Sequence, residues 1–390
     1  MQKNNNNSQL SNLTEKQYLT QAQLGIYLEC VKREGEEVYN WTVLIHITGS
    51  MEPERLAIAT RKAFEAHPAL FAKIEEDKDG VPMMKYVAPE VTEDNYNIIH
   101  TTEKYLHEHK HEIPKPFDLK RDRLFRVTIY VTEQKVYLCL DFHHIVSDGT
   151  TFHALCEDIG RAYRGEEPEG EIVTGFDIAK QEIQMRSTEA WLRAKKWYHT
   201  EFEGVEGITI LEPDIISGDK IVFGKYFSQL SVDATKLANV SKQLGTSRAA
   251  LLYGAFGRVL GAYSGKHDVC FASVWHGRHS LDEEKTAMMM VKTIPVRCRY
   301  HEDTDVQEYL SQLKQQVKGA RENDLYSFTD LCQDMPITDD VMFVYHGNRR
   351  VDEIVNGCTF SPELLNANET GIQLTFSVTE VANDLHVKIL

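Results

Sequence analysis

The stretch from Val136 to Gly149 constrains this chain more than any other. Val136, Leu138, Leu140 and Phe142 alternate with Tyr137, Cys139, Asp141 and His143, the period-2 signature of a half-buried strand. His144 follows directly, so the two imidazoles leave the strand on opposite faces. One can be packed and hydrogen-bonded inside a domain while the other points into whatever cleft the strand end borders. Asp148-Gly149 supplies a turn, Asp by bonding its own local backbone and Gly through backbone angles denied to other residues. Thr150 or Thr151 then caps a helix that runs through Leu155, Ile159 and Tyr163 to Gly165.

The rest of the chain reads as two successive clusters of mixed elements. Thr20 and Gln23 form a capping box for a first helix. A strand over residues 41–47 and a helix over 53–67 follow, with Pro68 ending the helix. Strands over 70–74 and 82–86 and a helix over 103–111 lead to two longer strands joined at Glu133-Gln134. A charged helix over 178–203 opens the second cluster. It continues with a strand over 225–230, helices over 234–244 and after Ser247, strands over 269–275 and 291–299, a helix over 305–320, and strands over 341–345, 374–378 and 386–390. Two such clusters predict an α/β protein of two sandwiches and not one doubly wound sheet.

Composition narrows the partners. The 43 basic and 59 acidic residues leave a net charge of −16, which opposes affinity for phosphate backbones and sets nucleic acid aside. No run of about 18 apolar residues is present, and the chain opens on Gln2, Lys3 and an Asn run instead of an apolar signal core. We expect a cytoplasmic monomer with no membrane association, and residues 1–12 disordered. The seven cysteines are scattered with no CxxC spacing, as expected of reduced thiols. No metal is expected. His107, His109 and His111 sit among Glu and Lys in a helix-like segment, and a metal at His143, His144 and Asp148 is not expected because the adjacent histidines diverge and cannot both join Asp148 on one ion.

His143-His144-Ile145-Val146-Ser147-Asp148-Gly149 resembles the HHxxxDG motif of the condensation domains of nonribosomal peptide synthetases, members of the chloramphenicol acetyltransferase-like acyltransferases. Other landmarks fall in the family's order. Leu19 to Tyr27 looks like its opening motif, and Pro116-Phe117-Asp118-Leu119 followed by Leu124-Phe125-Arg126-Val127 is similar to the segment before the motif strands. Phe176-Asp177-Ile178-Ala179 with Trp197 resembles the crossover between halves. Gly277-Arg278 and Val291 to Arg297 resemble later motifs, with Lys292 where Asn is usual.

The resemblance implies two acyltransferase-like subdomains, residues 13–175 and 176–390, set in a V around a central channel. It further implies a floor loop at about 279–291 and a latch at about 352–371. The expected reaction is amide formation between an acyl or peptidyl thioester and an aminoacyl acceptor. Both arrive on phosphopantetheine arms of donor and acceptor carrier proteins within a larger synthetase, and the domain itself binds no cofactor. By the same resemblance His144 is catalytic, as general base or as stabiliser of the tetrahedral intermediate. The Gly149 backbone N–H is a candidate oxyanion donor. His143, Asp148 and Arg126 support the site, Asp148 and Arg126 as a buried ion pair, while Ser147, Trp275, His276 and Tyr345 are expected to line the channel.

Three departures stand out: Thr150 where Trp is common, Met288 for a usual Gly, and Val344 for a usual Asn. An epimerization domain is disfavoured, because its characteristic Glu is Val274 in Val274-Trp275-His276-Gly277-Arg278. Two alternatives stay open: a free-standing acyltransferase using acyl-coenzyme A, and a non-catalytic recruitment domain of the same fold, whose members tend to lose the second histidine kept here as His144.

Overall fold

The computed structural model describes residues 13–390 apart from 14, 34, 38, 90–95, 213–223, 302, 349–351 and 366–371. The N-terminal segment expected to be disordered and the end of the expected latch thus lie outside the described residues.

The chain forms two compact units. The first comprises Met1–Gln184, Arg278–Met290 and Val351–Thr370, and the second Met185–Gly277, Val291–Arg350 and Gly371–Leu390. The first crossing comes later than the expected 175/176 boundary, because the Gly175–Met185 helix buries Phe176 and Ala179 in the first core. Burial of apolar side chains, and not a change in composition, decides where the chain leaves a unit.

The first unit is built on a six-stranded sheet. Its order is Glu353–Val355, Cys358–Leu364, Asn40–Thr48, Val136–His143, Phe125–Val131 and Tyr96–His100. Trp41 pairs with Phe142 and Asn40 with His143 in antiparallel register. Leu138, Leu140 and Phe142 are fully buried in the core, each contributing about 2 to 3 kcal/mol of apolar burial. The segment from Glu353 to Leu364 folds as a hairpin whose second strand adds antiparallel to Asn40–Thr48. Backbone pairing therefore makes that segment part of the first unit's sheet.

The second unit has its own six-stranded sheet in the order Lys292–Arg299, Asp268–Trp275, Val341–Asn348, Leu374–Val381, Asp384–Ile389 and Tyr226–Gln229. The helices Arg248–Ser264 and Val306–Glu322 cover it, burying Phe256, Leu260, Leu313 and Val317 beside Phe271 and Phe343. The single helix expected over 178–203 is two helices, Gly175–Met185 and Glu189–Glu201. Ser187 between them has φ 66°, and Thr188 caps the second by accepting from the Trp191 N–H at 3.4 Å. Thr188 takes a backbone donor and Ser187 turns left-handed, a local break that a count of helix-favouring residues does not register.

Candidate active site

The strand Val136–His143 is buried on both faces, Tyr137, Cys139, Asp141 and His143 included, and not half-buried as the alternation suggests; it ends between the two histidines. The His143 N–H donates to the Leu124 carbonyl at 2.9 Å and the His144 N–H to the Tyr39 carbonyl at 2.8 Å. His144–Val146 then make one turn of 3-10 helix.

His143 is buried. Its Nδ1 accepts from the Ile145 N–H at 3.1 Å, which places its proton on Nε2, 3.5 Å from Cys30 Sγ. Burial, reinforced by the neighbouring His144, pushes its pKa down to about 3, and burial pushes the Cys30 thiol up to about 12. Both groups are therefore neutral packing elements at pH 7. Gln23 secures the turn. Its Oε1 accepts from the Thr20 N–H at 3.1 Å in the capping box, and its Nε2 donates to the Ile145 carbonyl at 2.8 Å. The opening motif thus serves the site from a distant part of the sequence.

His144 is half-buried. Its Nδ1 lies 3.0 Å from the Ser147 carbonyl, an acceptor, so Nδ1 carries the proton and Nε2 keeps a lone pair. Burial lowers its pKa despite opposing contributions from the Ser147 carbonyl and the Asp148 charge. The ring lies parallel to Trp41, with centroids 5.6 Å apart. A neutral imidazole with a free acceptor nitrogen is the state required of a base.

Asp148, and not Thr150 or Thr151, caps the Gly149–Arg164 helix. Its Oδ1 accepts from the Thr150 N–H at 3.0 Å and the Thr151 N–H at 3.1 Å, and the Thr151 hydroxyl completes a capping box. Its ion-pair partner is Arg278 and not Arg126. Arg278 Nη1 donates to Oδ2 at 2.7 Å and Nη2 to Oδ1 at 3.1 Å, with both side chains fully buried. Arg278 also donates to the carbonyls of Glu283 and Thr286, and the Met290 N–H donates to Asp148 Oδ2 at 3.1 Å. One carboxylate thereby joins the helix start to the Arg278–Met290 segment.

Arg126 is taken elsewhere. It stands opposite Asp141 in the sheet register and donates to it at 2.8 Å. It also donates to the Lys115 and Pro116 carbonyls and lies over the Phe117 ring at 3.8 Å. Cross-strand proximity decides this pairing, because Asp148 lies beyond the turn. Sequence reasoning missed Arg278 as the partner, although it stands directly after Gly277 in a landmark already singled out.

Gly149 is exposed, and among the described residues no hydrogen-bond partner is assigned to its N–H. A Cβ there would meet no atom within 4 Å. Ser147, expected to line a channel, is instead fully buried, with its hydroxyl donating to the His143 carbonyl at 3.3 Å. The 3-10 turn folds its side chain back under itself, so only its carbonyl serves the site.

Trp275, His276 and Tyr345 belong to the second unit. Trp275 packs on the second core and donates Nε1–H to Asp324 Oδ2 at 2.8 Å, and Lys292 Nζ lies 3.3 Å from Asp324 Oδ1. His276 is exposed with its ring 4.1 Å from that of Trp275, and the Tyr345 hydroxyl donates to Glu380. Among the described residues, no cluster of three His, Cys, Asp or Glu side chains is arranged to hold a metal, and no helix is long and apolar enough to cross a membrane.

The family model of the condensation domain matches residues 14–390. Bacitracin synthase 3 of Bacillus licheniformis is 26% identical over 96% of this chain and 6% of its own length. Gramicidin S synthase 2 of Brevibacillus brevis is 25% identical over 78% of the chain and 7% of its own length. The chain therefore spans only a small part of these synthases. Three solved structures share the fold. The first condensation domain of the CDA synthetase has a TM-score of 0.77 at 15% identity, covering 96% of this chain and 92% of that one. The condensation domain of the Monacolin K polyketide synthase has 0.80 at 13%, covering 96% and 91%. The X-domain from teicoplanin biosynthesis has 0.79 at 19%, covering 95% and 88%. Each unit is an α/β sandwich of the chloramphenicol acetyltransferase-like kind. With the motif, the fold and the match over nearly the whole chain in agreement, the chain belongs to the condensation domain family.

Proposed function

We propose that this chain forms an amide bond between an acyl or peptidyl thioester donor and an aminoacyl acceptor. Both substrates would be carried on phosphopantetheine arms by carrier proteins of a larger peptide synthetase. The observation that carries this reading is the state of His144: neutral, with Nδ1–H held by the Ser147 carbonyl and Nε2 left as an acceptor.

The chemistry needs little else. A neutral amine is already a good nucleophile, so attack on the thioester carbonyl needs no protein nucleophile, and catalysis rests on positioning and on one proton. The amine nitrogen bonds to the carbonyl carbon, whose oxygen takes the negative charge. Nε2 of His144 accepts the proton shed by that nitrogen. Collapse breaks the carbon–sulfur bond, and the proton passes to the departing thiolate. The Gly149 N–H, at the positive end of a helix, is the donor suited to the transient oxyanion. Trp275, His276 and Tyr345 remain candidates for contact with the arms or the acyl group.

The test is an amide-forming assay with donor and acceptor substrates loaded on carrier proteins, run beside coenzyme A thioesters. Product from the carrier-bound pair supports the reading, and its loss in His144→Ala, with unfolding unchanged within about 1 kcal/mol, makes His144 essential to the chemistry. Turnover with coenzyme A thioesters alone would replace the reading with a free-standing acyltransferase. Turnover with neither would make this a recruitment domain.

A further inference from the structure

His144 is held from three directions within the first unit. Nδ1–H is fixed to the Ser147 carbonyl, the amide N–H to the Tyr39 carbonyl, and one ring face lies against Trp41, at 17° between planes. The hydrogen bond at Nδ1 fixes one atom of the ring and leaves it free to tilt about that point. A parallel aromatic plane removes the tilt.

Trp41 is itself immobilised. It is buried, lies opposite Phe142 in the register, and has the rings of Phe142 and Phe152 each 5.9 Å from its own. Two residues earlier, Tyr39 has φ 60°, a left-handed conformation uncommon for a bulky residue and found where surrounding structure imposes it. That residue supplies the carbonyl that binds the His144 amide. The start of one strand thus provides both the backbone acceptor and the ring platform for the histidine at the end of its neighbour.

Building on the role of His144 proposed above, we propose that Trp41 is a positioning residue that sets the plane of the His144 imidazole and stabilises the imidazolium formed when Nε2 takes a proton. An indole face is the best aromatic partner for a cation within about 6 Å of its centroid, and the separation here is 5.6 Å. Burial favours the neutral ring that begins and ends each turnover. The charged ring exists only between proton uptake from the amine nitrogen and its return to the thiolate sulfur. A group that favours that form selectively lowers the barrier and does not merely tighten substrate binding.

The test is an NMR titration of His144 in the intact chain, assigned by His144→Gln, for wild type, Trp41→Leu and Trp41→Phe, beside carrier-based kinetics. In Trp41→Leu the titration should move to lower pH by about 0.5 to 1.5 units, and kcat should fall about tenfold with KM unchanged. Trp41→Phe, with a weaker ring face, should move in the same direction by less, and it carries the test if the leucine variant fails to fold. An unmoved or raised titration in a folded variant overturns the assignment, as does equal impairment of the phenylalanine and leucine variants. A shift in a chain whose wild type forms no amide refutes the proposed function and leaves the stacking role standing. Turnover without a shift refutes Trp41 alone.

Discussion

Replacing Arg278 by Met tests the buried ion pair, because Met keeps an unbranched chain while removing the guanidinium. Asp148 would retain the Thr150, Thr151 and Met290 N–H donors and lose both arginine contacts, and the carbonyls of Glu283 and Thr286 would each lose a donor. Stranding one partner of a fully buried pair costs about 3 to 5 kcal/mol, a large share of the about 5 to 15 kcal/mol that holds an ordinary domain together. Arg126→Met should cost less, about 1 to 2 kcal/mol. Its side chain is 33% exposed, and Asp141 keeps the Thr42 hydroxyl at 2.7 Å. Burial also raises the Asp141 pKa, which makes protonation an escape. Amide hydrogen exchange by mass spectrometry separates the two variants region by region. In Arg278→Met, protected amides of residues 148–156 and 278–290 should exchange about 10² to 10⁴ times faster, with residues 294–299 of the second unit as internal reference. Asp148→Asn combined with Arg278→Met should be less damaging than the sum of the single changes, since it removes the stranded charge. A wild-type exchange pattern in Arg278→Met, or a larger effect from Arg126→Met, would refute the assignment of the pair.

Gly149→Ala should fold normally, because the added methyl meets nothing within 4 Å and the backbone there is not left-handed. Amide formation should nonetheless fall at least about tenfold if substrate approaches that N–H closely; unchanged turnover removes Gly149 from the site. The stability of the first unit, read as its urea midpoint against pH, should decline on both sides of about pH 6.5. On the acid side the depressed His143 pKa, about 3, means that its contribution is present above the unfolded value and is lost as pH falls toward 3. On the alkaline side His67 is buried, which alone would disfavour its charge, but hydrogen bonds to Asp158 at 3.1 Å and Glu171 at 3.4 Å raise it to about 9. Its contribution, about 3 kcal/mol, is complete below 6.5 and lost through pH 9; His67→Gln should flatten that limb, and an unaltered profile would exclude it as the cause. Gly319→Ala sits in a helix, where propensity alone predicts a gain of about 1 kcal/mol. The new Cβ would lie 2.2 Å from Trp197 Cζ2, so we expect a loss of about 1 to 3 kcal/mol in the second unit, measured by exchange, with the first unit unaffected.

Much of the site was readable from spacing. Alternation over Val136 to His143 specifies a strand, and that strand ends between the histidines, so His143 packs inside while His144 opens the turn that follows. The Thr20–Gln23 capping box was equally plain, since cap and partner lie within one turn. Local chemistry misled where two readings competed. Ser187 and Thr188 broke a helix that charged residues suggested was continuous, and Asp148 took the capping position from the threonines after it.

The sequence alone determined the α/β character, the strand-turn-helix that presents His144, and the family to which the chain belongs, because each rests on residues close together or on motifs in order. Tertiary structure decided which arginine meets Asp148, which ring lies against His144, and which unit claims Arg278–Met290 and Val351–Thr370. Those choices join residues more than a hundred positions apart. They are settled by strand register and by the cost of leaving a buried charge or backbone group without a partner, and neither can be read from a local pattern.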